Sequence, residues 1–193
     1  MMRFVFATHN DHKVSEVTAI LDGMDISLVS LKAIEYHDEI VEDGQTLDQN
    51  AWIKANTIYH KLGGNVIAED TGLEVHSLDG APGVYSARYA GPQKNAEDNI
   101  DKLLSELKEK EDRQAQFRTV VAIKIDDQSY TFEGVVKGRI AHMRTGTGGF
   151  GYDPVFIPEG YTESFGVLDP EIKNNISHRA RAFEAFKRFL QMR

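Results

Sequence analysis

Two adjacent carboxylates, Glu69 and Asp70, follow the apolar run Val66-Ile67-Ala68. A β-branched run of that kind predicts a buried strand, which Thr71 and Gly72 are expected to break at once. Carboxylates at the end of a buried strand are costly unless something pairs with them. A divalent cation is the simplest partner, because hard cations take carboxylate oxygens. Downstream, Gly80, Pro82, Gly83 and Gly91 shape a loop that carries Ser86 and Arg88. A hydroxyl and a guanidinium there suit phosphate oxygens. Acid pair, tight turn and Ser-x-Arg together point to a metal–phosphate site.

Three further stretches offer groups of the same kind. Near the start, the segment 3–8 (RFVFAT) reads as a buried strand, and Asn10 is placed to cap a helix bearing Val14, Val17 and Leu21 on one face. Thr8, Asn10 and Lys13 gather at that strand–turn–helix junction, where α/β proteins hold anions. Lys13 opposes the helix dipole, and a bound phosphate would compensate. Thr46 and Gln49 form a capping-box pattern that opens a helix through Leu62, closed by Gly63-Gly64. On it Asn50 and Lys54 share a face, with Glu42 in the acidic loop just before. In the segment 145–154 (TGTGGFGYDP), four glycines surround Phe150. Glycines let backbone approach a ligand, while the ring offers a stacking face; a small core plug is the structural alternative. Finally Ser177 caps a last helix whose first turn holds His178 and Arg179, cations again opposed to the dipole.

The elements that must position these groups alternate. A second strand is expected at 26–30, and an amphipathic helix at 95–107 with Ile100, Leu103, Leu104 and Leu107 inward. A hairpin of strands 117–125 and 130–136 turns through residues 126–129, and Phe183, Phe186 and Leu190 give the last helix its buried stripe. The 193 residues suit one domain or two closely joined lobes. A net charge of −8 argues against a protein that coats nucleic acid, leaving room for a local basic pocket. With no cysteine, thiol nucleophiles and thiolate metal sites are excluded. No apolar run approaches the roughly 20 residues of a membrane span, and the N-terminus lacks a signal-peptide apolar region, so a cytoplasmic protein is expected.

The segments ATHNDHKVSE, NAWIKA, AEDTGLEV, GAPGVYSARYAG, GTGGFGYDPVF and ISHRARA occur in this order. Together they resemble the signatures of the inosine/xanthosine triphosphatase (Ham1-like) family of purine nucleoside triphosphate pyrophosphatases. The resemblance runs from Phe4 to the last helix and implies one domain over 1–193. The fold it implies is a two-lobed α/β fold, a long central mixed sheet flanked by helices, with an active-site cleft between the lobes. It also implies a homodimer, dependence on Mg²⁺, and cleavage of a triphosphate to monophosphate and pyrophosphate. Carried over by position, Thr8, Asn10, Lys13 and Lys54 hold the triphosphate; on charge alone, Arg88 offsets the phosphates or makes a structural pair. Glu42, Glu69 and Asp70 serve the metal, with Asp70 as the base for the attacking water and Thr71 near the metal–phosphate centre. Phe150 stacks on the base, and Gly151, Tyr152, Asp153, Lys173, His178 and Arg179 line the nucleotide pocket.

Three positions depart from the commonest pattern of the family: Glu69 for Asp, Thr71 for Ser and His9 for Gly. The longer Glu69 arm and the bulkier His9 put direct metal contact and the shape of the turn in question. Base choice is expected at His178 and Arg179, donors that suit the O6 acceptor of hypoxanthine and xanthine and oppose the N6 donor of adenine. The competing readings are a Maf-like pyrophosphatase and a nucleotide sensor without turnover.

Overall fold

The computed structural model describes residues 1–193. Six strands form one mixed sheet: β1 (Met2–Phe6), β2 (Ile26–Ser30), β3 (Asn65–Val75), β4 (Gln114–Ile125), β5 (Gln128–Ile140) and β6 (Phe156–Pro158). Their order across the sheet is β2-β1-β3-β4-β5-β6. β1 runs parallel to both β2 and β3, whereas β5 and β6 are antiparallel. The helices are α1 (Asp11–Ile20), α2 (Leu47–Leu62), α3 (Ala96–Glu106), α4 (Pro170–Ile176) and α5 (His178–Gln191). None is long and apolar enough to cross a membrane.

The chain forms two compact units. The first comprises 1–70, 119–134 and 179–193. Its core joins Phe4 and Phe6 of β1, Val17 of α1, Ile67 of β3, Val121 and Ile123 of β4, and Phe183 and Phe186 of α5. Edge-on ring contacts, Phe4 on Phe186 and Phe6 on Phe183, set α5 against β1. The helix pattern of the sequence is thus realised, with Leu190 only partly buried at the end of the stripe.

The second unit comprises 71–118 and 135–178. Its core gathers Leu73 and Val75 of β3, Ile100 and Leu103 of α3, Phe117 of β4, Val136 and Ile140 of β5, and Phe156 and Phe165. The hairpin turn is tighter than expected, because Asp126 and Asp127 both adopt positive φ. Two left-handed residues match the twist of the flanking strands, so β5 starts at Gln128 directly after the turn; at the far end the hairpin extends to Gln114 and Ile140.

One expectation is corrected here and one element is added. Thr71 and Gly72 do not break the strand: β3 continues to Val75. Its ladder and the burial of Leu73 and Val75 outweigh the weak strand preference of one glycine. The segment 170–176, to which the sequence reading assigned no element, is a helix, α4. Asp169 accepts from the Glu171 amide at 2.7 Å and Pro170 occupies the first turn, a favoured helix start.

Candidate active site

The pleat of β3 decides what its two carboxylates do. Successive side chains on a strand point to opposite faces, so Glu69 and Asp70 part company. Glu69, 2 % exposed, receives Arg179 through Nε at 2.9–3.0 Å and through Nη2 at 2.9 Å. Lys13 Nζ lies 3.1 Å from the same carboxylate. Arg179, 1 % exposed, also donates through Nη1 to Glu16 of α1. Burial alone would raise the Glu69 pKa, but Arg179 and then Lys13 overcome it and lower the value to about 2. Burial likewise opposes the charge on Arg179, and Glu69 with Glu16 raises its pKa nonetheless. These contacts tie α1, β3 and α5 together. They also explain how two cations sit at helix N-termini against the dipole.

Asp70 turns the other way and accepts from Lys54 Nζ at 3.0 Å. The same ammonium donates to Glu42 at 2.5 Å. Lys54 is 7 % exposed. Desolvation would lower its pKa, but Asp70 and then Glu42 raise it. Glu42 is brought there by Asn50, whose Oδ1 accepts the Gly44 amide at 2.9 Å, one turn of α2 before Lys54. A Cβ on Gly44 would stand 2.6 Å from that oxygen, so the acidic loop docks on α2 only with glycine there. The expected capping box forms in part: Thr46 accepts from the Gln49 amide at 3.1 Å, while Gln49 reaches the amide of Gln45.

At the first turn, Asn10 accepts the amides of His12 and Lys13 at 3.0 and 3.3 Å, as its cap position predicts. Thr8 Oγ1 accepts the Asn10 amide at 3.1 Å, a role that leaves its O–H able to donate. His9 lies outside the positive-φ region, so this turn does not demand the glycine usual there. Its ring reaches the Tyr36 carbonyl at 2.8 Å.

The second unit carries a separate trio. Asp153, buried, accepts the Phe150 amide at 2.7 Å and Lys173 Nζ at 2.8 Å. The ammonium then lies 5.0 Å from the centre of the Phe150 ring. Gly149, at φ +73°, lets Asp153 approach: a Cβ would stand 2.1 Å from the carboxylate. Phe150 is half-buried, and Gly151 follows it at φ +61°.

Other expected residues stand outside these groups. Tyr152 is buried and donates to the Ser86 carbonyl at 2.9 Å, which makes it a strut. The Ser86 hydroxyl accepts the Leu73 amide at 2.9 Å and donates to the Gly83 carbonyl at 2.6 Å. It braces the loop instead of facing phosphate. Arg88 lies over the exposed ring of Tyr85 at 5.3 Å, and half-buried Thr71 stays on β3. His178, buried, stacks on Phe117 at 4.6 Å. Glu16 was not foreseen. Its place in the KVSE segment, one helical turn beyond Lys13, was the available signal.

A mixed α/β sheet that sets lysines, carboxylates and a capped helix N-terminus together defines a class of protein able to handle a polyanion with a cation. The chain belongs to the Ham1 family, which it matches over residues 4–189. It is 48 % identical over 189 residues to the dITP/XTP pyrophosphatase of Christiangramia forsetii, covering 98 % of this chain and 99 % of that one. With the dITP/XTP pyrophosphatase of Bacillus subtilis it shares 44 % identity over 194 residues, 99 % and 98 % of the two chains. Among solved structures, the Ham1 protein of Staphylococcus aureus superposes with a TM-score of 0.89 at 37 % identity, covering 98 % of each chain. A HAM1 protein from Coxiella burnetii gives 0.91 at 34 % identity over the whole of both chains.

Proposed function

We infer that the chain hydrolyses non-standard purine nucleoside triphosphates (ITP, dITP and XTP) to the nucleoside monophosphate and pyrophosphate. The names of its whole-length relatives support the reaction. The convergence of Glu42 and Asp70 on one cationic atom, at 2.5 and 3.0 Å, carries the assignment of the site. It is also the test of metal fit: two carboxylates that share one ammonium can share one divalent cation. No third acidic or histidine side chain joins them, which suits an ion completed by phosphate oxygens and water. A bound Mg²⁺ would neutralise phosphate charge and acidify its water.

The residues of the chain do the rest. Asp70 takes the proton of the attacking water as the α–β anhydride breaks and pyrophosphate leaves. Lys13 and Lys54, with the donor edge of Thr8 and Asn10, hold the triphosphate. Glu69 is assigned to fixing Lys13 and Arg179 rather than to the metal, since both cations already occupy it. Phe150 stacks on the base. Arg179, bound by carboxylates through all three guanidinium nitrogens, passes base reading to Lys173 and His178. Magnesium as the ion, a homodimer as the assembly and the cytoplasm as the setting belong to this proposal, on the strength of the family resemblance.

The test is pyrophosphate release from ITP with Mg²⁺ by wild type and by Asp70→Asn. The variant keeps size and loses the charge needed for base work, worth roughly 10²–10⁴-fold. A folded variant that retains more than about a tenth of the wild-type rate overturns the role of Asp70.

A further inference from the structure

The carboxylates assigned to the metal already hold a cation. Lys54 Nζ lies 2.5 Å from Glu42 and 3.0 Å from Asp70, and the residue is 7 % exposed. On the other face of β3, Lys13 and Arg179 neutralise Glu69, with Arg179 shared by Glu16. Four carboxylates thus face three cations, and the cluster carries a single excess negative charge. Such a cluster attracts a free dication weakly, and no third acidic or histidine side chain completes a cage for one. An ammonium a few ångströms from the same oxygens would also repel the incoming ion directly.

We propose that Lys54 is an internal counter-cation that closes the Glu42–Asp70 pair to free divalent metal, so that metal enters together with the triphosphate. Triphosphate oxygens offer the Lys54 ammonium a new partner, which releases both carboxylates at the moment when the dication arrives. The ion therefore does not wait in the empty site. The docked loop favours this exchange: Asn50 fixes Gly44, holding Glu42 in reach while Lys54 swings on its flexible stem.

The inference rests on the proposed metal role of Glu42 and Asp70, and the experiment separates the two. Mn²⁺ binding to nucleotide-free protein is followed by loss of the free-ion electron paramagnetic signal, in wild type, Lys54→Met and Lys54→Met/Asp70→Asn. Wild type is expected to bind weakly, and Lys54→Met about 10- to 100-fold more tightly, since one repulsive charge is gone. The double variant is expected to lose that gain. Equal affinity of wild type and Lys54→Met overturns the counter-cation role. A gain that survives Asp70→Asn places the metal elsewhere and overturns the site assignment instead. Folding is checked by circular dichroism, and if Lys54→Met does not fold, Lys54→Gln, which keeps a hydrogen-bond donor, is scored by the same two criteria.

Discussion

Glu69→Gln tests whether this carboxylate is a structural clasp or a metal ligand. The change keeps shape and removes charge. Arg179, 1 % exposed, would keep Glu16, and Lys13 would lose its carboxylate partner. Removing one partner of a buried pair costs roughly 3–5 kcal/mol. Linkage gives a second route to the magnitude. The Glu69 pKa falls from an ordinary 4.5 to about 2. At about 1.4 kcal/mol per unit, that shift is worth roughly 3 kcal/mol. A depressed carboxylate pKa contributes stability that is fully present above the unfolded value, near 4.5, and fades as pH falls toward 2. Urea unfolding, followed by circular dichroism and by the single tryptophan, Trp52, measures both. At pH 7 the variant should lose roughly 3 kcal/mol, or about 6–12 °C in Tm. At pH 3 the gap should shrink by roughly half or more, because Glu69 is then almost wholly protonated in the unfolded chain while the folded carboxylate is still largely ionised. A loss below about 1 kcal/mol at pH 7, or a gap unchanged at pH 3, refutes the clasp.

The remaining predictions concern the nucleotide. Phe150→Ala should raise KM for ITP about tenfold with a smaller change in kcat, since stacking a base on a ring is worth about 1–3 kcal/mol. An unchanged KM with a lowered Tm would make Phe150 a core plug. Lys173→Met should narrow the preference for ITP over ATP, because an ammonium suits O6 and opposes the N6 amino group; each such clash is worth about 5- to 150-fold. If both rates fall together and their ratio holds, Lys173 is a prop for Phe150 and base choice lies elsewhere.

Local elements were legible in the sequence; the partners of the charged groups were not. The cap at Asn10, the strand at 26–30 and the helix closed by Gly63 are all present, because each is set by local chemistry. The same chemistry sets the start of α4 at Asp169-Pro170. Glu69 and Asp70 are neighbours in sequence, and the period of two along a strand decides which face each takes. Once β3 is known to continue through Thr71, the pleat sends Glu69 and Asp70 apart. Their counter-ions come from far along the chain: Arg179 is 110 residues from Glu69. No local pattern encodes that pairing. Ser86 and Tyr152 carry groups that suit a ligand as well as a fold, and only the partners, Leu73, Gly83 and the Ser86 carbonyl, show which use prevails.

The parting of Glu69 and Asp70 also separates two charges that adjacency in sequence would have crowded together. Side by side on one face, two carboxylates would repel each other and compete for one cation. Here each has its own cation on its own side of the sheet. A change of partner at Asp70, as the proposed reaction requires, leaves the contacts of Glu69 in place. The joint of α1, β3 and α5 therefore does not depend on which cation Asp70 holds.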